Sequence, residues 1–268
     1  MNRSLRRRFA ARNKPKKKIV LSWDSARARI ASMRALAGRP AQNPKMLEKV
    51  KTALAGQLDR ARDEGRPLKE HVAAARDGTH ALEVATTELD RQDEAGIAGA
   101  LGGAPACRMG CAFCCVLRTG PEDSGLLVTE AEARRAGAAL AALQGQPDGR
   151  SWIAQACPAL DPESRACRIY ETRPVMCRSV YNTDAQPCAD LVRSGGARGY
   201  TLNSDAADIH YLAHAIGVTT VGEGATGTVY SFARFAGEVI DGAGIDQALS
   251  RARFPKGTIG KEVLVKAD

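Results

Sequence analysis

The chain has 268 residues, 44% of them hydrophobic, enough for one large domain or two small ones with a genuine core. Aromatic residues make up only 4%, so that core is built from Ala, Leu, Val and Ile, and the abundance of Ala, Arg and Glu points to helices. The net charge of +9 excludes an acidic chain, and no run approaches the roughly 20 apolar residues of a membrane span.

The charge sits at one end. Arg3, Arg6, Arg7, Arg8, Arg12, Lys14, Lys16, Lys17 and Lys18 come with no acidic residue among them; without these nine, 30 basic residues face 30 acidic ones. Residues 1–18 therefore read as a disordered basic arm. Such an arm can attract nucleic acid or another polyanion without sequence specificity. "RRRF" looks like a twin-arginine signal, but Ile19-Val20-Leu21 is too short for the apolar stretch such a signal needs. The expectation is a soluble, cytoplasmic protein.

Residues 19–98 hold no cysteine and read as a helical region. A first helix is capped by Ser22 or Asp24, runs through Met33 to Ala37, and stops at Gly38-Arg39-Pro40. Pro44 starts a second, with Met46, Leu47, Val50, Leu54 and Leu58 at helical spacing. Beyond Gly65-Arg66-Pro67, a third spans about Leu68 to Leu89. A glycine-rich stretch from Gly96 to Pro105 then leads into the cysteines.

All eight cysteines lie between Cys107 and Cys188, within a region set at 99–195. Inside it, Leu126-Leu127-Val128 is a short extended run, and Thr129 with Glu132 forms a capping box for a helix to about Leu143. The last region, 196–268, reads as helical and packed on the cysteine region. It has helices over Asp205–Ile216 (ended by Gly217), Thr228–Ile240 and Ile245–Phe254, with 222–227 as a loop. The fold class is mainly α with small irregular and β elements, a metal-stapled centre flanked by helices.

"CRMGCAFCC" places Cys107, Cys111, Cys114 and Cys115 in nine residues; Cys157, Cys167, Cys177 and Cys188 follow. In a reducing compartment, clustered cysteines point to metal ligation rather than disulfides. Thiolates select zinc or iron–sulfur, and eight can supply two four-ligand sites, or one site with spare cysteines buried. An adjacent pair such as Cys114-Cys115 rarely serves one mononuclear ion. The favoured partition therefore puts Cys107, Cys111 and Cys114 in one site and turns Cys115 to a second site or the core. A zinc ribbon has two C-x2-C knuckles, whereas this chain has one such pair and a second half spaced C-x9-C-x9-C-x10-C. That irregularity suits an iron–sulfur cluster (4Fe-4S) better than zinc. The C-x3-C-x2-C spacing also resembles that of radical enzymes, but no strand–helix alternation follows it.

The order C-x3-C-x2-CC, then "CP-x-L", then "CRIYETRPVMCR" and a last cysteine resembles the YkgJ-like cysteine-cluster family of zinc- or iron-chelating proteins. Flagellin lysine methylases are distantly similar. The resemblance covers about residues 107–188 and implies metal ligation by its cysteines, with a redox or modification role. Around them Arg168, Arg173 and Arg178 place cations near a thiolate nest, where Arg173 and Arg178 can tune the metal or bind an anionic substrate. Tyr170 is expected to lay its ring over the site. His210 and His214, at i and i+4, have chelating spacing, but packing is the plainer reading. Two other function classes stay open. One is a structural-zinc binding module with a basic nucleic-acid-contacting arm; the other is an iron–sulfur enzyme of radical or methyl-transfer chemistry.

Overall fold

The structure, a computed structural model, describes residues 21–35, 43–91, 97, 99, 104, 106, 110–117, 126–186, 188–190, 202–203, 205–221, 227–259 and 264–266. The basic arm, most of Gly96–Pro105, Cys107 and the loop at 222–226 lie outside these residues. The fold is mostly helical, as its composition implies, with small antiparallel sheets.

Helix α1 (Trp23–Ser32) starts on a capping box in which Ser22 and Ser25 each accept from the other's amide. It ends at Ser32 rather than running to Ala37. Met33–Ala35 is instead strand β1, paired with the distant β7 (Leu264–Lys266), a partnership that no local pattern announces. Helix α2 (Pro44–Asp63) has Asn43 as its cap and buries Met46, Leu47, Val50, Leu54 and Leu58, the stripe its spacing predicts.

The single helix expected over Leu68–Leu89 is two, α3 (Leu68–Asp77) and α4 (Thr79–Asp90). Gly78 divides them at φ +91, where a Cβ would come within 2.5 Å of the Thr129 side chain. Only glycine permits both the left-handed turn and that approach.

Strand β2 (Leu127–Val128) leads through the Thr129–Glu132 capping box into α6 (Glu130–Ala141); α5, between α4 and β2, is Phe113–Leu117. Helix α7 (Val175–Arg178) precedes β3 (Val180–Tyr181), which pairs with β4 (Leu202–Asn203). Helix α8 (Asp205–Thr220) passes through Gly217 instead of ending there. Twelve of its sixteen residues are buried, so it shows no polar face.

Residues 227–240 form strand β5 (Gly227–Ser231) and then α9 (Phe232–Ile240), not one helix. The β-branched and aromatic run Thr228-Val229-Tyr230 takes the middle of a sheet, and Ser231 caps the helix by accepting from the Arg234 amide. Antiparallel pairing sets Val128 opposite Tyr230 and Gly227 opposite Ile259 of β6 (Arg253–Ile259), with a register shift between Thr228 and Tyr230. Helix α10 (Ile245–Ala252) stops short of Phe254, which belongs to β6.

Two large apolar clusters stand out among the described residues. One joins Ile30 of α1 and the α2 stripe to Ile209, Leu212 and Ile216 of α8. The other packs Leu126 and Val128 with Ala133, Ala136 and Leu140 of α6, Phe232, Phe235 and Val239 of α9, and Leu249 of α10. Cys157, Cys167 and Cys177 pack against this second core, so the cysteines stand on a rigid wall.

Candidate metal centre

Three short segments bring the thiols together. The first is α5, carrying Cys114 and Cys115. The chain enters it through Gly110 at φ +82 and Ala112 at φ +53. A left-handed alanine costs about 1–2 kcal/mol. Here it is held by burial against Ala156 and Leu160.

The second segment, Cys157 to Arg168, folds back on itself. The Leu160–Cys167 bridge, Asp161 N to Ala166 O at 2.9 Å and Arg168 N to Ala159 O at 3.0 Å close the loop. At its tip Asp161 Oδ1 accepts from the Ser164 amide (2.7 Å) and hydroxyl (2.8 Å). Cys167 is thereby returned beside Cys157. The Cys157 amide donates to the Cys115 carbonyl at 3.1 Å, which joins this loop to the first segment.

The third segment is α7, bearing Cys177 behind Arg173-Pro174. Its first amide, on Val175, donates to Glu132 Oε1 at 2.9 Å, while Glu132 Oε2 accepts from Thr129 N at 2.9 Å. One buried carboxylate thus caps α6 and positions the Cys177 helix. The sequence signals the first of these roles and not the second.

Cys114, Cys115, Cys157, Cys167 and Cys177 line a single cavity of about 80 Å³. Leu126, Leu160, Ile169 and Phe232 form its apolar walls, and Arg173 is the cation on its lining. No disulfide joins any of the seven described cysteines. The surroundings of Cys115, Cys157 and Cys167 favour the protonated form. A hydrogen bond with Cys114, followed by burial, raises Cys115 well above the usual thiol range. Burial pushes Cys157 up to about 12, partly opposed by the Ala159 amide. Burial also raises Cys167, against the Ile169 amide and Arg173. A bound metal cation reverses this balance by stabilising thiolate. Among the described residues no three His, Cys, Asp or Glu side chains close around a point that would grip a bare ion. The thiols surround a space instead.

The other expected site residues take different places. Cys111 and Cys188, both half-buried, are absent from the cavity lining. Cys188 Sγ accepts from Asn182 Nδ2 at 3.5 Å. Tyr170 is 53% exposed and does not cover the cavity; the Arg173 guanidinium stacks 3.5 Å from its ring centroid. Arg178 is also off the lining and lies 3.8 Å from Asp90. Arg168 donates to Gln146 Oε1 at 3.3 Å and Pro158 O at 3.5 Å.

His210 and His214 do not join the thiols. His210 Nε2 stands 3.6 Å from Glu132 Oε2, both side chains 3% exposed. His214 is wholly buried with neither ring nitrogen hydrogen-bonded, and burial, then His210, lowers its pKa to about 4. Sequence reasoning also missed Gly149, where a Cβ would lie 2.3 Å from the Cys157 carbonyl oxygen.

These segments make a pocket lined by five thiols in a mostly helical protein. Residues 106–193, about a third of the chain, match the family model CxxCxxCC, described as a "Putative zinc- or iron-chelating domain". The match contains all eight cysteines, and metal chelation is the activity it supports. No curated protein and no solved structure matches the chain. No helix among the described residues is long and apolar enough to cross a membrane.

Proposed function

We propose that the cavity holds an iron–sulfur cluster of the four-iron type, ligated by four of Cys114, Cys115, Cys157, Cys167 and Cys177. The observation that carries this reading is a space of about 80 Å³ ringed by five thiols. One water needs about 10–15 Å³ of such space, so this cavity has room for several atoms. When bound, the cluster would supply one-electron redox chemistry.

The chain's own groups fit such an occupant. The Ala159 and Ile169 amides hydrogen-bond the Cys157 and Cys167 sulfurs, and Arg173 places positive charge on the lining. Donors of this kind offset the negative charge of a thiolate-bound cluster and raise its potential. Five thiols exceed the four positions of a cubane, which favours a fully ligated, electron-carrying cluster over an open-iron enzyme. A redox role of the YkgJ-like type follows from this reading.

Anaerobic purification with iron, sulfide and zinc analysis tests it. A brown protein with iron and labile sulfide, lost when Cys157 and Cys167 are both replaced by Ser, is expected. A colourless protein holding zinc alone would replace it with the structural-zinc reading.

The nine cations between Arg3 and Lys18 support a second, separate reading: this segment contacts nucleic acid or another polyanion.

A further inference from the structure

One exposed ring adjoins the thiol-lined cavity. Arg173 belongs to the cavity lining, and its guanidinium stacks 3.5 Å from the centroid of the Tyr170 ring. Tyr170 is 53% exposed, the one large hydrophobic residue so placed among the described residues. These two side chains therefore lead from the cavity wall to solvent. The turn that carries them is held from two sides. Arg173 Nε donates to the Tyr170 carbonyl at 3.0 Å, and Arg135 Nη2 of α6 donates to the Glu171 carbonyl at 3.4 Å.

Charge around this turn is not balanced as it is elsewhere on the surface. Arg134, next to Arg135 on α6, is bridged to Glu130 and Asp246, each at 2.7 Å. Arg150 is likewise held by Asp148 and Asp241, each at 2.6 Å. Arg135, Arg168 and Arg173 form no ion pair among the described residues. Their hydrogen bonds go to the carbonyls of Glu171, Pro158 and Tyr170 and to the Gln146 amide oxygen. Glu171 is the exposed acid within the turn, and it offsets one charge of the three. A guanidinium with neutral partners keeps its charge for an incoming carboxylate.

We propose that Arg135, Tyr170 and Arg173 form a docking surface for a small acidic electron-carrier protein, which passes one electron to the cluster in the cavity. The inference rests on the iron–sulfur reading. The carrier's redox centre is oxidised, the cluster is reduced, and no bond or proton changes place. Carboxylates on the carrier supply the charge these arginines lack, and Tyr170 supplies a flat apolar contact at low entropic cost. Tyrosine and arginine are the residue types in which interface energy concentrates. A patch of a few residues suits the small interfaces of redox encounter complexes. Arg173, shared by the patch and the cavity, is what favours a redox carrier over another polyanion.

The test uses the full chain, purified anaerobically with its metal as isolated, and a plant-type [2Fe–2S] ferredoxin as the acidic probe. Calorimetry follows binding, and absorbance follows electron transfer from reduced probe to oxidised chain. Dithionite, a small reductant that needs no docking, is the control. Wild type is expected to bind the probe at low salt, with the transfer rate falling about tenfold when salt reaches about 0.3 M. Arg135→Glu should lower binding and rate about tenfold, and Tyr170→Ala should lower both by less. Arg135→Lys should retain most of each, and all three variants should keep wild-type iron content and reduction by dithionite. The proposal is overturned if the probe does not bind, if binding is insensitive to salt, or if duplex DNA binds through Arg135 while ferredoxin does not. A brown chain reduced by ferredoxin equally well in wild type and Arg135→Glu would sink the docking surface and keep the cluster. A chain holding zinc alone that binds ferredoxin through Arg135 and Tyr170 would sink the iron–sulfur reading and keep the surface.

Discussion

Cys157 donates its amide to the carbonyl of Cys115 at 3.1 Å, so the backbone sets the spacing of two cavity thiols before any metal is bound. The carbonyl of Cys157 is equally constrained. It lies where a Cβ at Gly149 would sit 2.3 Å away, with the Leu160 Cβ at 3.0 Å. Gly149→Ala therefore overpacks the turn that carries Cys157, at a cost of about 1–3 kcal/mol. The expected outcome is a lower urea midpoint together with reduced metal content. Full metal content in a destabilised variant would show that the turn does not set the spacing of these thiols.

Glu132 is predicted to couple the helical core to the metal centre. Its carboxylate accepts from Thr129 N and Val175 N, and stands 3.6 Å from His210 Nε2, all in buried surroundings. Glu132→Ala leaves two buried amides without acceptors and frees the first turn of α7. Each unsatisfied buried donor costs about 1–3 kcal/mol. Glu132→Gln, which keeps an acceptor oxygen, should lose less. Denaturation midpoints and metal content measured on both variants check this, and equal losses in the two would mean that the charge, rather than the acceptor geometry, holds α7.

Sequence pattern recovered what depends on neighbours along the chain. Pro44 and the stripe from Met46 to Leu58 define α2, and Thr129 with Glu132 defines the start of α6, because helix periodicity and capping are local. The elements it misassigned owe their state to distant partners. Thr228–Tyr230 is a strand because β2 and β6 flank it, and Met33–Ala35 is one because β7 pairs with it. Spacing groups the eight cysteines along the chain but does not say which of them share the cavity. Cys115 joins Cys157, Cys167 and Cys177 through a hairpin loop and an acid-capped helix, and Tyr170 turns outward because Arg173 covers its ring. Gly78 reads in sequence as a mild helix weakness. Its left-handed turn against Thr129 appears only in three dimensions.

Acid should destabilise the fold through two buried histidines. Burial, then His210, lowers His214 from 6.5 to about 4; burial, then His80, lowers His71 to about 4. Neither His214 nitrogen has a hydrogen-bond partner, so the folded state holds that ring neutral. The unfolded chain binds the proton first. Stability is therefore full above about pH 6.5 and falls as pH drops from there toward 4. At about 1.4 kcal/mol per pH unit, His214 alone accounts for roughly 3 kcal/mol at the acid end. His71, stacked 4.3 Å from His80, adds loss in the same direction. Urea midpoints from pH 7.5 to 4.5 should decline in wild type and decline less in His214→Leu. An identical slope in the variant would remove His214 from the account.

The basic segment predicts a salt signature. Arg3 to Lys18 contribute nine cations, while the remainder of the chain balances 30 basic against 30 acidic residues. If these cations contact phosphates, duplex DNA binding weakens steeply with salt, with a log–log slope of up to about 8 in magnitude for nine contacts. Deleting residues 3–18 should abolish most of this binding and flatten the slope, with the metal content of Cys157 and its neighbours unchanged. Binding by the full chain that is insensitive to salt, or that survives the deletion, would move the contact onto the neutral body of the protein. Loss of metal on deletion would instead mean that the segment packs against the cysteine domain, since a solvated arm has no reason to alter a centre enclosed by Leu126, Ile169 and Phe232.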